Sequence, residues 1–529
     1  MVASSARRLL RASDVGRGGV PAVLVGVRHA VRDLTPGALT AHPRTTPAGK
    51  TGAHHQKEVG RSMLSSKHGT RRSRAPRAAV ALTAAGLVAT LGACGGADEG
   101  GQGGAATPTA SATSRINAAA DPSTVKGTIT LMRNPAEITA ETIAEFNKKY
   151  PGVKVEPIDH DAVKLKSLLA AGTPPDLFRA EAPQVGALVG QNLVEDLTAP
   201  LEAAGITNEK TFDAAELYVF DGKRYGVPFD WSPDFTVFVN NKLFAKAGLT
   251  VPDPSKPMSW AELAELGKKL TVKSGAKTTQ LGLGGAWDTF PPARVISARL
   301  AEAGEKLYGD DEKTINLVGN PKAVEALKFM ADLAKDGVTH SPANPSASWS
   351  GDEFTKGQIA MVSYGYWYNR LVNDGKSAVG TDYTVLPAPY WSDPAKRVNP
   401  TITGTGMVMS SKTQNPQAAW AFYSWYLTGE RAQNNAKTGS GFPVVEADAQ
   451  YLPKEKANDK QAFEVASAEA KVAPALQFNR YYDDAVFTNS YNKNLQNYVA
   501  GTLSIEEMAK NIETDVKAAI EDGVEQQQK

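Results

Sequence analysis

Gly127-Thr128-Ile129-Thr130-Leu131-Met132 is a β-branched run that opens a regular alternation of elements. Ile143, Phe146 and Tyr150 follow at helical spacing and stop at Pro151-Gly152. Val153, Val155 and Ile158 give a second strand, Leu165, Leu168 and Leu169 a second helix, and Pro174-Pro175-Asp176-Leu177-Phe178 ends in a third short strand. Strands separated by helices cannot pair through tight hairpins, because each helix must cross a sheet face. The pattern therefore predicts an α/β fold with a largely parallel sheet.

Upstream of this run the character of the chain changes twice. Gly95 to Ala120 is mostly Gly, Ala, Ser and Thr, with too little apolar bulk to offset the entropy of ordering, so residues 94–124 read as a flexible tether. Before it, Lys67, Arg71, Arg72, Arg74 and Arg77 precede an uncharged apolar run from Ala78 to Ala89, which is the order of a secretory signal. That run is shorter than the roughly 20 residues a membrane-spanning helix needs. Leu91-Gly92-Ala93-Cys94 at its end resembles the bacterial lipoprotein signal, which implies acylation of Cys94, cleavage just before it and a lipid-anchored protein on the outer face of the cytoplasmic membrane. Residues 63–93 are then the signal peptide, and residues 1–62, without steady periodicity, an extension ahead of a start at Met63.

Cutting at Cys94 reverses the charge. Residues 1–93 hold 15 of the 58 Lys and Arg but 3 of the 56 Asp and Glu, so the remainder carries 43 basic against 53 acidic side chains, net −10. That balance argues against a nucleic-acid partner. Cys94 is the sole cysteine, so no disulfide forms within the chain. About 400 residues beyond the tether exceed what one hydrophobic core supports, and two lobes are expected.

Further along, Asp221 to Pro228 reads as a turn and strand, Phe235 to Val239 as a β-rich run and Leu281 to Gly285 as another strand. Ser259-Trp260-Ala261-Glu262 has capping-box spacing and opens a helix carrying Leu263, Leu266 and Leu270. Asn415-Pro416 starts a helix with Trp420, Tyr423, Ser424 and Leu427 on one face, and Ile505 to Ile520 reads as a surface helix.

Four segments in this order resemble the extracellular solute-binding proteins of sugar ABC importers. They are Phe146 to Val155 with Gly172 to Leu177; Gly222 to Pro228 with Asn240 to Leu249 and Trp260; Phe354 to Met361 ending at Gly365-Tyr366-Trp367; and Gly404 to Ser410 with the Asn415-Pro416 helix. The resemblance implies two discontinuous α/β lobes with a ligand cleft between them, hinge closure on a carbohydrate, and delivery to ABC permease subunits by a monomeric receptor without a cofactor. In that arrangement lobe one comprises 125–236 and 400–436, and lobe two 237–399 and 437–529. The chain then crosses near Asp234 to Val239, returns near Thr401 and crosses again near Lys437.

A sugar presents apolar C–H faces and a rim of hydroxyls, which call for flat aromatics beside fixed carboxylates and amides. By position in the family pattern Trp367, with Tyr366 and Tyr368, resembles the stacking aromatic of lobe two, and Trp287-Asp288 a loop contact. Asp230 and Trp231 sit at the lobe crossing, where the carboxylate either accepts two hydroxyls or forms a turn with Ser232-Pro233. Glu181 follows a strand at the carboxyl edge of the sheet; Ala180-Glu181-Ala182-Pro183 lacks the aromatic and charged pair of maltodextrin binders. Arg480 and Tyr481 resemble a late loop that supplies a guanidinium and an aromatic, and Gly404 a close backbone approach. Trp420 and Trp425 read as core, and Trp391 as a lid or a surface turn.

Enzyme readings are short of parts. Five of the seven histidines precede Cys94, leaving His160 and His340 without metal-ligand spacing, and there is no G-x-S-x-G elbow or phosphate loop. A glycoside hydrolase built on Asp230 with Asp234 or Glu181 is the remote alternative, and the same fold holding a peptide or polyamine the nearer one.

Overall fold

The computed structural model of the protein describes residues 115–528, apart from 276, 286–291, 343, 347, 401–403 and 477. The extension, the signal, Cys94 and the pair Trp287-Asp288 lie outside the described residues.

Parallel strands β1 (Gly127–Arg133) and β2 (Val153–Asp159) pair with Ile129 opposite Val155, and β3 (Leu177–Glu181) joins the other side of β1. Helix α1 (Ala140–Lys149) connects the first two. Its start is capped by the Thr139 hydroxyl, which accepts from the Thr142 N–H at 3.2 Å. Its Phe146 is fully buried against Phe422 and Trp425, with ring centroids 5.0 and 5.1 Å away. Helices α2 (Ala162–Ala170) and α3 (Ala182–Gly190) follow in alternation. A short hairpin, β4 (Val219–Phe220) and β5 (Lys223–Arg224), precedes β6 (Gly226–Asp230).

The second sheet holds β7 (Thr236–Asn240), β8 (Val272–Ser274), β9 (Lys277–Gly285), β10 (Ile359–Tyr364) and β11 (Tyr383–Leu386) in the order β11-β7-β10-β9-β8. The chain then returns: β12 (Thr405–Met409) inserts into the first sheet, whose order is β2-β1-β3-β12-β6. Because β12 arrives from the other lobe it runs antiparallel to both neighbours, and β7 likewise runs antiparallel to β10. Both sheets are therefore mixed, with the parallel character confined to β2-β1-β3 and β9-β10. The architecture is two discontinuous α/β lobes, as the family resemblance implies.

Three passages of chain lie side by side between the lobes. Trp231 and Phe442 exchange backbone hydrogen bonds at 3.0 and 2.7 Å, the Phe235 N–H donates to Asn399 Oδ1 at 2.7 Å, and the Asp234 N–H donates to the Pro400 carbonyl at 3.3 Å. Gly365 packs against the first passage so closely that an added Cβ would lie 2.0 Å from Ser232 Oγ.

One expectation needs correction. The tether does not extend to 124, since Ile116 is 5% exposed, Arg115 pairs with Glu195, and Pro122–Thr124 is a 3-10 turn capped by Asp121. The Ile505–Gln527 helix lies on the surface as its alternation implies, polar outside and with Met508, Ile512, Val516 and Ile520 buried in the lobe-two core. Trp420 and Trp425 are core residues, while Trp391 is half-buried between Trp260 and Phe329, ring centroids 5.5 and 5.1 Å away. Among the described residues no helix is long and apolar enough to cross a membrane.

Candidate functional site

A cavity of about 960 Å³ lies between the lobes, lined by residues of both. That is the upper end of the range of about 300–1,000 Å³ usual for small-molecule sites.

The lobe-one wall is built where β1, β3 and β6 end, the edge at which open α/β sheets receive ligands. Arg179, two residues before the end of β3, is its hub. Its Nε donates to Glu137 Oε2 at 2.9 Å and Oε1 at 3.1 Å, its Nη1 to Glu181 Oε1 at 2.8 Å, and its Nη2 to Thr405 Oγ1 at 3.3 Å. Burial lowers the pKa of this guanidinium, but Glu137 and Glu181 outweigh it and the net displacement is upward, so Arg179 stays charged. Asp230 ends β6 opposite Thr405. Loss of water, then the negative charge of Glu137, push its carboxyl well above the usual range, against the pull of Arg179 and of hydrogen bonds from Thr405. Two carboxylates thus bond one guanidinium and a third carboxyl, Asp230, lies within reach of its charge, an arrangement rich in acceptors with fixed directions.

The lobe-two wall presents Trp367, half-buried, with one face stacked on Trp349 at 5.9 Å and 17°. Tyr364 and Tyr368 brace it at 5.4 and 5.7 Å. Arg370 is exposed on the same wall, one turn further along. Deeper in, Arg294 pairs with Asp484 at 3.1 Å and lies 4.5 Å above the Phe478 ring. Burial raises the Asp484 pKa and Arg294 pulls it back, with the balance upward.

Of the residues singled out from the sequence, Asp230, Trp231, Glu181 and Trp367 line this cavity. Trp231 contributes little beyond its edge, because its indole N–H donates to the Pro443 carbonyl at 3.0 Å and its ring packs on Phe212 and Phe442. Four others are corrected. Tyr366 is 2% exposed, edge-on to Phe442 beneath the crossing passages. Gly404 lies outside the cavity, with its carbonyl accepting from Tyr218 Oη at 2.9 Å and the Ala182 N–H at 3.2 Å. Arg480 is held by Asp221 and Glu312, and Tyr481 beside it also lies off the cavity wall. Arg179, Glu137, Thr405, Arg294 and Arg370 were not read from the sequence. For Arg179 and Glu137 the signal was present, since both stand at or just beyond strand ends on the carboxyl edge.

No group of three or more His, Cys, Asp and Glu suited to a metal occurs among the described residues. His340 instead pairs with Glu353 at 2.6 Å.

Comparison with known proteins agrees with this fold. The family profile described as bacterial extracellular solute-binding protein matches residues 141–464. An uncharacterised ABC transporter extracellular-binding protein of Pyrococcus horikoshii is 26% identical over 352 residues, 63% of this chain and 74% of that protein. An arabinooligosaccharide-binding protein of Halalkalibacterium halodurans is 22% identical over 232 residues, 43% of this chain and 48% of that protein, about half its length. Among solved structures, an ABC substrate-binding protein of Listeria monocytogenes in complex with cycloalternan superposes with a TM-score of 0.62 at 22% identity, covering 74% of this chain and 98% of the other.

Proposed function

This chain belongs to the bacterial extracellular solute-binding proteins, and we propose that it captures a carbohydrate, a di- or oligosaccharide, by closing its lobes and passes it to an ABC permease. The observation that carries the reading is the division of one cavity between two kinds of wall. Trp367 offers an aromatic face from lobe two, while lobe one offers the charged hydrogen-bonding groups of Arg179, Glu137 and Glu181 and the carboxyl of Asp230, whose charge burial disfavours. A pyranose has both complements, apolar C–H faces and ring hydroxyls. Neither wall alone satisfies it, so the sugar favours the arrangement in which both are present.

The export signal and Cys94 support a lipid-anchored receptor outside the cytoplasmic membrane, and the reading includes a monomer and no catalytic turnover. Release of reducing ends from oligosaccharides by the purified protein would overturn that last part. The main test is a thermal-shift panel of mono-, di- and oligosaccharides, with maltotriose, mannobiose and arabinotriose among them. The expected result is a raised midpoint with one sugar class, equivalent to about 2.7 kcal/mol at a hundredfold excess over Kd. A panel in which no sugar stabilises while a peptide or polyamine does would replace the substrate class.

A further inference from the structure

Arg480 sits outside the ligand cavity yet makes the most extensive set of ion pairs bridging the lobes among the described residues. Its Nη1 donates to both Asp221 oxygens at 3.0 and 2.9 Å, in the β4–β5 turn of lobe one. Its Nη2 and Nε donate to Glu312 Oε1 at 3.2 and 3.3 Å, and its backbone N–H to Glu312 Oε2 at 2.8 Å, in lobe two. Asp221 and Glu312 are two of three non-glycine residues held at positive φ among the described residues, 52° and 58°. That conformation is uncommon for a side chain with a Cβ. Both carboxylates that meet this guanidinium thus stand on backbone that the surrounding fold must hold in place.

The neighbours of Arg480 make the same crossing. Phe478, two residues before it, is buried in the lobe-one cluster of Met132, Leu165, Phe178 and Phe220, while Arg294 of lobe two covers its ring. Asp483, three residues after it, lines the cavity and pairs with Lys166 of α2 at 2.8 Å. Burial works against the Asp483 charge, yet Lys166 and the Ala485 N–H hold its pKa below the usual range. Gly186 of α3 lets the segment approach, since an added Cβ there would lie 3.1 Å from Arg480 Cα.

We propose that residues 478–483 are a clasp that fastens lobe two to lobe one beside the cavity, and that Arg480 is a positioning residue which sets ligand affinity without touching the ligand. The clasp is made in the arrangement where both lobes line the cavity, so it favours that arrangement over a separated one before any ligand arrives. Arg480 is also a better group for the task than lysine, because its Nη1 alone serves both Asp221 oxygens and leaves Nη2 and Nε free to donate to Glu312 at the same time. The consequence for affinity rests on the carbohydrate reading of the cavity; the consequence for lobe separation does not.

The test compares the full chain with its Arg480→Gln, Arg480→Lys and Asp221→Asn variants. Asp221 is in an exposed turn, so its variant breaks the same pair with little risk to folding. Small-angle X-ray scattering without ligand should give a larger radius of gyration for Arg480→Gln and Asp221→Asn, with Arg480→Lys in between. Raising NaCl from about 50 to about 500 mM should expand the parent more than Arg480→Gln, since the variant lacks the Asp221 pair and keeps only the Asp483–Lys166 pair for salt to screen. Calorimetry with maltotriose, mannobiose and arabinotriose should show affinity about threefold to fivefold weaker in Arg480→Gln, the size expected of a partly exposed ion pair. Unchanged radius and salt response in both Arg480→Gln and Asp221→Asn would overturn the clasp. Expansion with unchanged or tighter sugar binding would overturn the role in affinity. Expansion with no sugar bound by either protein would leave the clasp standing and remove the carbohydrate reading instead.

Discussion

At the scale of single residues, the Asp230 carboxyl shows how a cavity wall is held at some cost to stability. Its pKa is raised in the folded protein above the ordinary value of 3.8, so between those two values the folded state holds more protons than the unfolded one. Stability contributed by this group is therefore present below the lower value and falls as pH rises towards the upper one. Asp230→Asn should stabilise the ligand-free protein by about 1 kcal/mol near neutral pH and give no gain below about pH 3, where both forms are protonated. Thermal melts across pH check this, and a gain that did not vary with pH would assign the effect to something other than ionisation. Trp367→Ala should weaken sugar binding about tenfold with folding intact, since the lost aromatic face is worth about 1.4 kcal/mol. An unchanged Kd would make Trp367 a brace for Trp349 and Tyr364 only. The neighbouring Tyr366 marks where sequence stops short: adjacent residues on one turn point to opposite environments, one to the cavity and one under Phe442, and only packing decides which.

At the scale of elements, the sequence was most informative where order is local. The capping box at Ser259 forms as spaced, with the Glu262 N–H donating to Ser259 Oγ at 3.1 Å and the Ser259 N–H to Glu262 Oε2 at 2.7 Å. The strands and helices from Gly127 to Glu181 likewise follow the apolar periods that predicted them. What periodicity does not carry is how close two elements come. Gly282 on β9 touches the helix Trp260–Leu270 at Gly267: a Cβ at Gly282 would fall 1.8 Å from the Gly267 carbonyl oxygen and 2.7 Å from its Cα. Backbone cannot rotate aside as a side chain can. Gly282→Ala should therefore push helix from sheet and cost about 3 kcal/mol, the upper part of the overpacking range, read as a lowered urea midpoint. A cost within about 0.5 kcal/mol, the size of an ordinary surface change, would mean that the helix and strand can part without loss. The same limit explains Arg480, whose family position suggested a ligand contact, although Asp221 and Glu312, each more than 150 residues away in sequence, already engage its donors.

At the scale of the molecule, discontinuity makes each lobe depend on chain from beyond the other. Strand β12 lies between β3 and β6, so without it the first sheet breaks into a three-stranded piece and a detached strand. The helix Pro416–Leu427 that follows supplies Phe422 and Trp425 to the ring cluster around Phe146, so the same return passage brings both sheet and core. Pairings across sequence separations of this size leave no mark in local apolar periods, so it is chain length and family resemblance, rather than strand pairing, that point to two lobes. A fragment comprising 115–236 alone contains β1, β2, β3 and β6 but neither β12 nor that helix. It should show no cooperative unfolding transition and weak protection of the β1 and β3 amides from hydrogen exchange, whereas co-expressed residues 400–436 should restore both. Independent folding of the fragment, with a sharp transition of its own, would show that β2-β1-β3 and their helices carry a sufficient core. The late strand would then be an addition to lobe one rather than its keystone.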